Sequence, residues 1–257
     1  MTRILYLLFI LSGAAGLIYE SIWTRYLGLF VGHDAYAQII VLVIFLGGMS
    51  AGAMGVGRLS ERMRHPLYGY VAVEFVVGCI GLVFHEAFQG VTAWAYQSVF
   101  PALAGSWMLT AAKWGLASAL ILPQSVLLGM TFPLMSAGVL RLEAARPGRT
   151  LALLYFANSL GAAVGVIIAG FYLVESVGLP GTLLAAAMLN LLVALVTIGV
   201  IVAARSREPQ GAVAQEGPMP LAPGLPGGAE LRRLLLFAAF ATAVASFIYE
   251  IAWIRML

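Results

Sequence analysis

The stretch ILYLLFILSGAAGLIYESIWTRYLGLFV, from Ile4 to Val31, decides the fold. Wound as an α-helix it is about 42 Å long, more than the roughly 30 Å of a bilayer's hydrocarbon core. It carries two charges, Glu20 and Arg25, and is otherwise apolar or small. A backbone in lipid must satisfy its own hydrogen bonds, so a run of this length reads as a spanning helix. A secretory signal resembles its first half, with Arg3 before an apolar stretch and Ser12-Gly13-Ala14-Ala15-Gly16 as a small-residue site. The apolar run continues to Val31, too far for a signal core, and signal cleavage is set aside on that ground.

The rest of the chain repeats this pattern. Of 257 residues 62% are hydrophobic and 10% charged, and the mean hydropathy is +0.98. Soluble domains carry about a quarter charged residues, so water is the wrong solvent for this composition. Apolar periodicity predicts spanning helices over 4–31, 36–58, 68–88, 107–140, 150–174, 179–204 and 232–257. The fold class is therefore all-α, a polytopic transmembrane bundle of six helices with a seventh after a linker.

Basic residues set the orientation. Arg58, Arg62 and Arg64 follow the second helix, and Arg141, Arg146 and Arg149 follow the fourth. Arg205, Arg207, Arg232 and Arg233 bracket the connection after the sixth, whereas the connections at 32–35, 87–106 and 176–180 hold no Lys or Arg. The positive-inside rule puts the three basic connections and the N-terminus in the cytoplasm. The net charge of +3 is spread over these connections and forms no phosphate-binding face, so nucleic acid is not an expected partner. The expected partner is the lipid bilayer. The lone cysteine, Cys79, has no partner for an intrachain disulfide.

An internal repeat divides the chain. IYESIWTRYL at Ile18 to Leu27 returns as IYEIAWIRML at Ile248 to Leu257, with Tyr249, Glu250, Trp253 and Arg255 matching Tyr19, Glu20, Trp23 and Arg25. The predicted organisation is a six-helix bundle at 1–205, a Pro/Gly/Ala-rich cytoplasmic linker at 206–231, and at 232–257 the first helix of a second, parallel half. Because the copy stops where the first helix still has residues to run, the expectation is a fragment of a longer protein. The alternative is a seven-helix protein whose last helix ends flush with the membrane.

Charges within the bilayer are the first candidates for function. A central Asp, Lys or Arg costs roughly 2.5 to 3.5 kcal/mol on insertion scales and is retained for a reason. Glu20, Arg25, Glu74, Lys113, Glu250 and Arg255 qualify. At 100° per residue Glu20 and Arg25 point about 140° apart, so each needs a partner on another helix. The candidate solute-binding or proton-coupling set is Glu20, Arg25, Glu74, Trp23, Tyr19 and Asn158, with Gln124 a further polar donor. The competing reading of Glu20 and Arg25, and the one favoured for them, is a structural salt bridge between helices. Lys113 lies near an outer helix end, where it can snorkel.

Small residues four apart, Gly47, Ala51 and Gly55, and again Ala157, Gly161, Gly165 and Ala169, predict close helix packing. Pro123 and Pro133 are expected to kink the fourth helix. His33-Asp34 and His85-Glu86 are isolated pairs, so no metal site or cofactor is expected. No phosphate-binding glycine loop, nucleophile elbow or CxxC occurs, which leaves this chain without a recognisable catalytic apparatus.

Two resemblances follow from these motifs. Gly57, Arg58, Glu61 and Arg62 are similar to the cytoplasmic loop between the second and third helices of major facilitator transporters, with Glu61 where that family usually has Asp. More specifically, SGAAGLIYESIWTRYLGLFVG from Ser12, LPQSVLLGMTFPL from Leu122, and LYFANSLGAAVGVIIAGFYLVESVGLPGTL from Leu154 resemble bacterial membrane proteins described as fused major-facilitator-like and spermidine synthase-like. The resemblance implies one major-facilitator-like half in the bacterial inner membrane. It further implies an aminopropyltransferase-like domain in full members, with no counterpart among these residues. The function expected is a transporter-like module with an intramembrane site for a small polar or cationic solute. The alternative is an anchor for a spermidine synthase-like domain, with that domain or a second copy of the chain as partner.

Overall fold

A computed structural model describes residues 1–31, 34–143, 145–206, 230–231, 233–242 and 244–245. Among them every regular element is helical. The elements of the main unit are α1 (Thr2–Val31), α2 (Asp34–Arg62), α3 (Pro66–Trp94), α4 (Trp107–Leu142), α5 (Pro147–Ile168) and α6 (Val174–Arg205). Pro66 and Pro147 open α3 and α5 at the first helical positions, where a missing N–H costs no hydrogen bond. α3 is longer than periodicity predicts, because a π-helical turn, Ala95–Val99, and a last turn, Phe100–Ala102, prolong it through a segment read as loop. Its aromatic, charge-free sequence gives the helix no reason to stop at 88. α4 stays helical through Pro123 and Pro133.

Among the described residues five stretches are long and apolar enough to cross a membrane: Thr2–Phe30, Ala37–Arg62, Pro66–Ala102, Trp107–Leu142 and Pro147–Arg205. The protein is thus a helical membrane bundle. The last stretch spans 59 residues and includes a second π-helical turn, Ala169–Leu173. It is broken at Gly178, whose φ of 68° and ψ of −175° join two helices across a kink. Only glycine enters that region without strain. The Thr182 hydroxyl donates to the Gly178 carbonyl at 2.7 Å, occupying an acceptor the break exposes.

α1 lies at the centre, packed along α5 and also against α6 and α2, while α2 runs along α4 and α3 along α6 and α4. Its buried face carries Leu5, Phe9, Ile22, Trp23 and Phe30. Side chains turned away from the bundle are mostly apolar too, with Leu29 71%, Leu195 69% and Phe171 82% exposed, as suits a surface solvated by lipid.

Backbone approaches fix the register. A Cβ on Gly161 or Gly165 would strike the backbone of Ile10 or Ala14, and one on Gly52 or Gly129 would strike Val126 or Met49. The α5 stripe therefore packs as read from the sequence. On α2 the contact falls on Gly48 and Gly52, while Gly47, Ala51 and Gly55 face outward.

Polar contacts sort the two ends of the bundle. At one, Arg141 donates to the backbone carbonyls of Arg64 (2.6 Å) and Glu61 (3.1 Å), Tyr6 donates to Glu143, and Arg205 lies over the Tyr68 ring. At the other, Tyr96 donates to the Phe30 carbonyl and Lys113 lies over the Phe100 ring. A second unit, Gly217–Leu257, contributes a short apolar helix, Arg233–Thr242. Most of the predicted linker and the repeat residues Tyr249, Glu250, Trp253 and Arg255 lie outside the described residues.

Candidate functional site

Glu74 sits on the inward stripe of α3, between Tyr70 and Val77–Gly78, and is completely buried. Two helices supply its hydrogen bonds. Ser12 of α1 donates its hydroxyl to Oε1 at 2.6 Å, and Asn190 of α6 donates Nδ2 to Oε2 at 2.5 Å. Among the described residues Glu74 forms no ion pair, so neutral donors alone meet the carboxylate. Gly78 lets α6 approach, since a Cβ there would meet Leu191 and the Ala187 carbonyl. Gly81 does the same for α1, because the Tyr19 hydroxyl occupies the place its Cβ would take.

Beside Glu74 stand Tyr19 and Tyr70, both fully buried. Gln124 of α4, also fully buried, donates Nε2 to the Val77 carbonyl at 3.1 Å. Trp23 stacks on Tyr19 with ring centroids 5.6 Å apart and packs against Phe45 and Phe84. The cluster is thus assembled from α1, α3, α4 and α6, with aromatic packing along one side.

Its hydrogen bonding is incomplete. The hydroxyls of Tyr19 and Tyr70, Trp23 Nε1, Gln124 Oε1 and Asn190 Oδ1 are buried and have no hydrogen-bond partner. Apart from Thr92 Oγ1, these are all such side-chain atoms among the described residues. Unpaired buried polar atoms cost about 1 to 3 kcal/mol each, and native proteins keep few of them. Elsewhere in the bundle Ser125, Thr131, Ser136 and Thr197 each return a hydroxyl proton to a backbone carbonyl of their own helix, three or four residues back. The concentration around Glu74 therefore marks this place as different from the ordinary core.

The remaining predicted residues are dispersed. Glu20 is half-buried and engaged in an interaction of its own, and its carbonyl accepts the Thr24 hydroxyl at 3.0 Å. Arg25 is exposed. Asn158 is half-buried on α5, pressed against Gly13 one residue from Ser12. The structure thus brings Tyr19, Trp23 and Glu74 together with Gln124, and leaves Glu20, Arg25 and Asn158 outside the fully buried group.

Gly57, Arg58, Glu61 and Arg62 stand at the end of α2, where Ser60 donates to the Gly57 carbonyl at 2.7 Å and Arg141 reaches the Glu61 carbonyl. His85 bonds Tyr26 at 2.6 Å and Gln89 at 2.9 Å. His33 lies outside the described residues. No group of three or more His, Cys, Asp or Glu side chains able to hold a metal occurs among the described residues.

Ser12, Tyr70 and Asn190 are the members that sequence reasoning passed over. Asn190 carried a usable signal as an amide within a long apolar run, since such residues seek partners across helices. No protein-family model, curated protein or solved structure matches this chain. The chemistry of the site rests on its own geometry.

Proposed function

We propose that this bundle is a transporter-like membrane module whose Glu74 cluster binds a small polar or cationic solute. The observation that carries the reading is a fully buried carboxylate bonded only to neutral donors and ringed by unpartnered polar atoms. Leaving a charge uncompensated in that setting costs several kcal/mol, so a proton or a bound cation must neutralise it when the site works. Exchange between the two is the elementary step of a cation carrier.

The break at Gly178 supports six crossings, since an unbroken helix of that stretch would be about 88 Å long, nearly three bilayer thicknesses. The crowding of arginines at one end supports a cytoplasmic N-terminus, and the aromatic residues Trp94, Tyr96 and Trp107 suit the opposite interface. The resemblance to fused major-facilitator-like and spermidine synthase-like proteins agrees with this architecture and points to the bacterial inner membrane.

The test is uptake by membrane vesicles of a panel of labelled amines, amino acids and sugars. We expect at least one solute to accumulate and its uptake to fall about tenfold or more in Glu74→Gln, as befits the loss of a charged hydrogen-bonding group. The variant should keep wild-type helicity and elution. Uptake indifferent to Glu74 sinks the reading and leaves the anchor for a spermidine synthase-like domain in its place.

A further inference from the structure

We propose that the solute held at Glu74 is a primary alkylammonium ion, a proposal that rests on the binding-site reading above and narrows it to one ligand class. The argument begins with the sign of the groups. Glu74 brings a negative charge, which disfavours an anion. Gln124 Oε1 and Asn190 Oδ1 are buried acceptors with nothing to accept. Each Glu74 oxygen accepts one bond in the structure and has lone-pair capacity for another. The site thus has acceptors to spare around one fixed charge.

A primary ammonium offers what these groups lack, three N–H donors on a single positive charge. A quaternary ammonium has the charge and no donor. A bare calcium ion wants a shell of six to eight oxygens, several of them carboxylate or carbonyl, and this cluster has a single carboxylate, with its other oxygens on neutral side chains set among the rings of Tyr19, Trp23 and Tyr70. Those rings suit a cation that carries carbon, since aromatic faces attract ammonium charge and bury an alkyl chain. The Tyr19 and Tyr70 hydroxyls rotate, so they accept from the ammonium as readily as they donate. Trp23 Nε1 is a donor only; in this scheme its indole contributes its face.

The same geometry assigns roles. Glu74 supplies the countercharge, Gln124 and Asn190 discriminate N–H from N–CH3, and Ser12 holds the carboxylate in place from behind. Ser12 and the Nδ2 of Asn190 keep their present bonds when the ligand enters, so the carboxylate is already oriented for it.

The experiment uses the full chain purified in detergent and follows thermal unfolding against two probes with the same four-carbon tail, n-butylammonium and n-butyltrimethylammonium, with sodium chloride as a third. A ligand that binds only the folded state raises the melting temperature in a saturable way. We expect saturable stabilisation by n-butylammonium alone, its abolition in Glu74→Gln, and about tenfold weaker apparent affinity in Gln124→Leu, as for loss of one charge-assisted hydrogen bond. Lys113→Gln should respond as wild type. Equal stabilisation by the trimethylated probe or by sodium overturns the proposal, and so does a butylammonium response that survives Glu74→Gln. Should Glu74→Gln fail to fold, the Gln124→Leu affinity decides, an unchanged value counting against. Binding of butylammonium without vesicle uptake would defeat the transport reading and uphold this one. Glu74-dependent uptake of a sugar or other non-amine solute would do the reverse.

Discussion

At the scale of single residues, the cluster around Glu74 sets stability against function. A buried hydroxyl with no partner costs about 1 to 3 kcal/mol, so deleting it relieves a cost, whereas removing one partner of a charge-assisted bond adds a similar one. Tyr19→Phe deletes an unpartnered hydroxyl and keeps the ring that stacks on Trp23. Its melting temperature should match or exceed wild type, while n-butylammonium binds more weakly. Ser12→Ala deletes the donor to Glu74 Oε1 and should lower the melting temperature. A stabilised Ser12→Ala or a clearly destabilised Tyr19→Phe, read by thermal melts in detergent, would contradict this division. Part of the site was legible in sequence, because Glu74 is an acid in an apolar run and the cost of such a charge is visible without a structure. Its partners were not. Ser12 and Asn190 lie 62 and 116 positions away, and an uncharged residue in an apolar helix announces no cost that would single it out. Glu20 and Arg25 drew attention for the same reason as Glu74, yet the structure places one half-buried and the other at an exposed position.

For helices the legible quantity is period, and the hidden one is phase. Small residues recur every four positions along α2 in two overlapping sets, Gly47, Ala51 and Gly55 and the adjacent pair Gly48 and Gly52. A soluble helix would mark its outer face with charge, but a helix in lipid is apolar all round, so nothing in the sequence favours one set. Packing selects Gly48 and Gly52, one residue or 100° around the axis from the set first read. On α5 the four-spaced run from Ala157 to Ala169 is longer, and there the phase read from sequence is the one observed. The break at Gly178 was legible for a different reason, since glycine two residues before proline marks a chain that cannot continue as helix. The prolonged end of α3 was not, because its π-helical turn has no composition that distinguishes it from a loop. These contacts make a paired prediction. Gly52→Val drives a side chain into the Val126 backbone and should destabilise by about 1 to 3 kcal/mol or more, as overpacking does. At Gly55 a Cβ meets nothing within 4 Å, so Gly55→Val should leave the stability within about 1 kcal/mol of wild type, helped slightly by the loss of a helical glycine. Equal effects at both positions would mean that α2 is rotated relative to this account.

For the molecule as a whole, the question is which end faces the cytoplasm. Arg141, Tyr6 and Arg205 tie the start of α1, the α2–α3 and α4–α5 turns and the end of α6 into one face. That face also carries Arg3, Arg58, Arg62, Arg64, Arg146 and Arg149, while the opposite end has Lys113 and the aromatic residues Trp94, Tyr96 and Trp107. Since Lys and Arg near the ends of short loops decide insertion, the asymmetry predicts a single orientation. It is tested with Cys79→Ser as a background, in which single cysteines at Ala104 and Ala145 report opposite ends of the bundle. A membrane-impermeant maleimide added to intact cells should label the cysteine at 104 and spare the one at 145 until the membrane is opened. Labelling of 145 alone would invert the topology and turn the arginine face outward. Labelling of both in intact cells would show mixed insertion, which a cluster built from four helices with one carboxylate at its centre could survive, but the positive-inside argument could not.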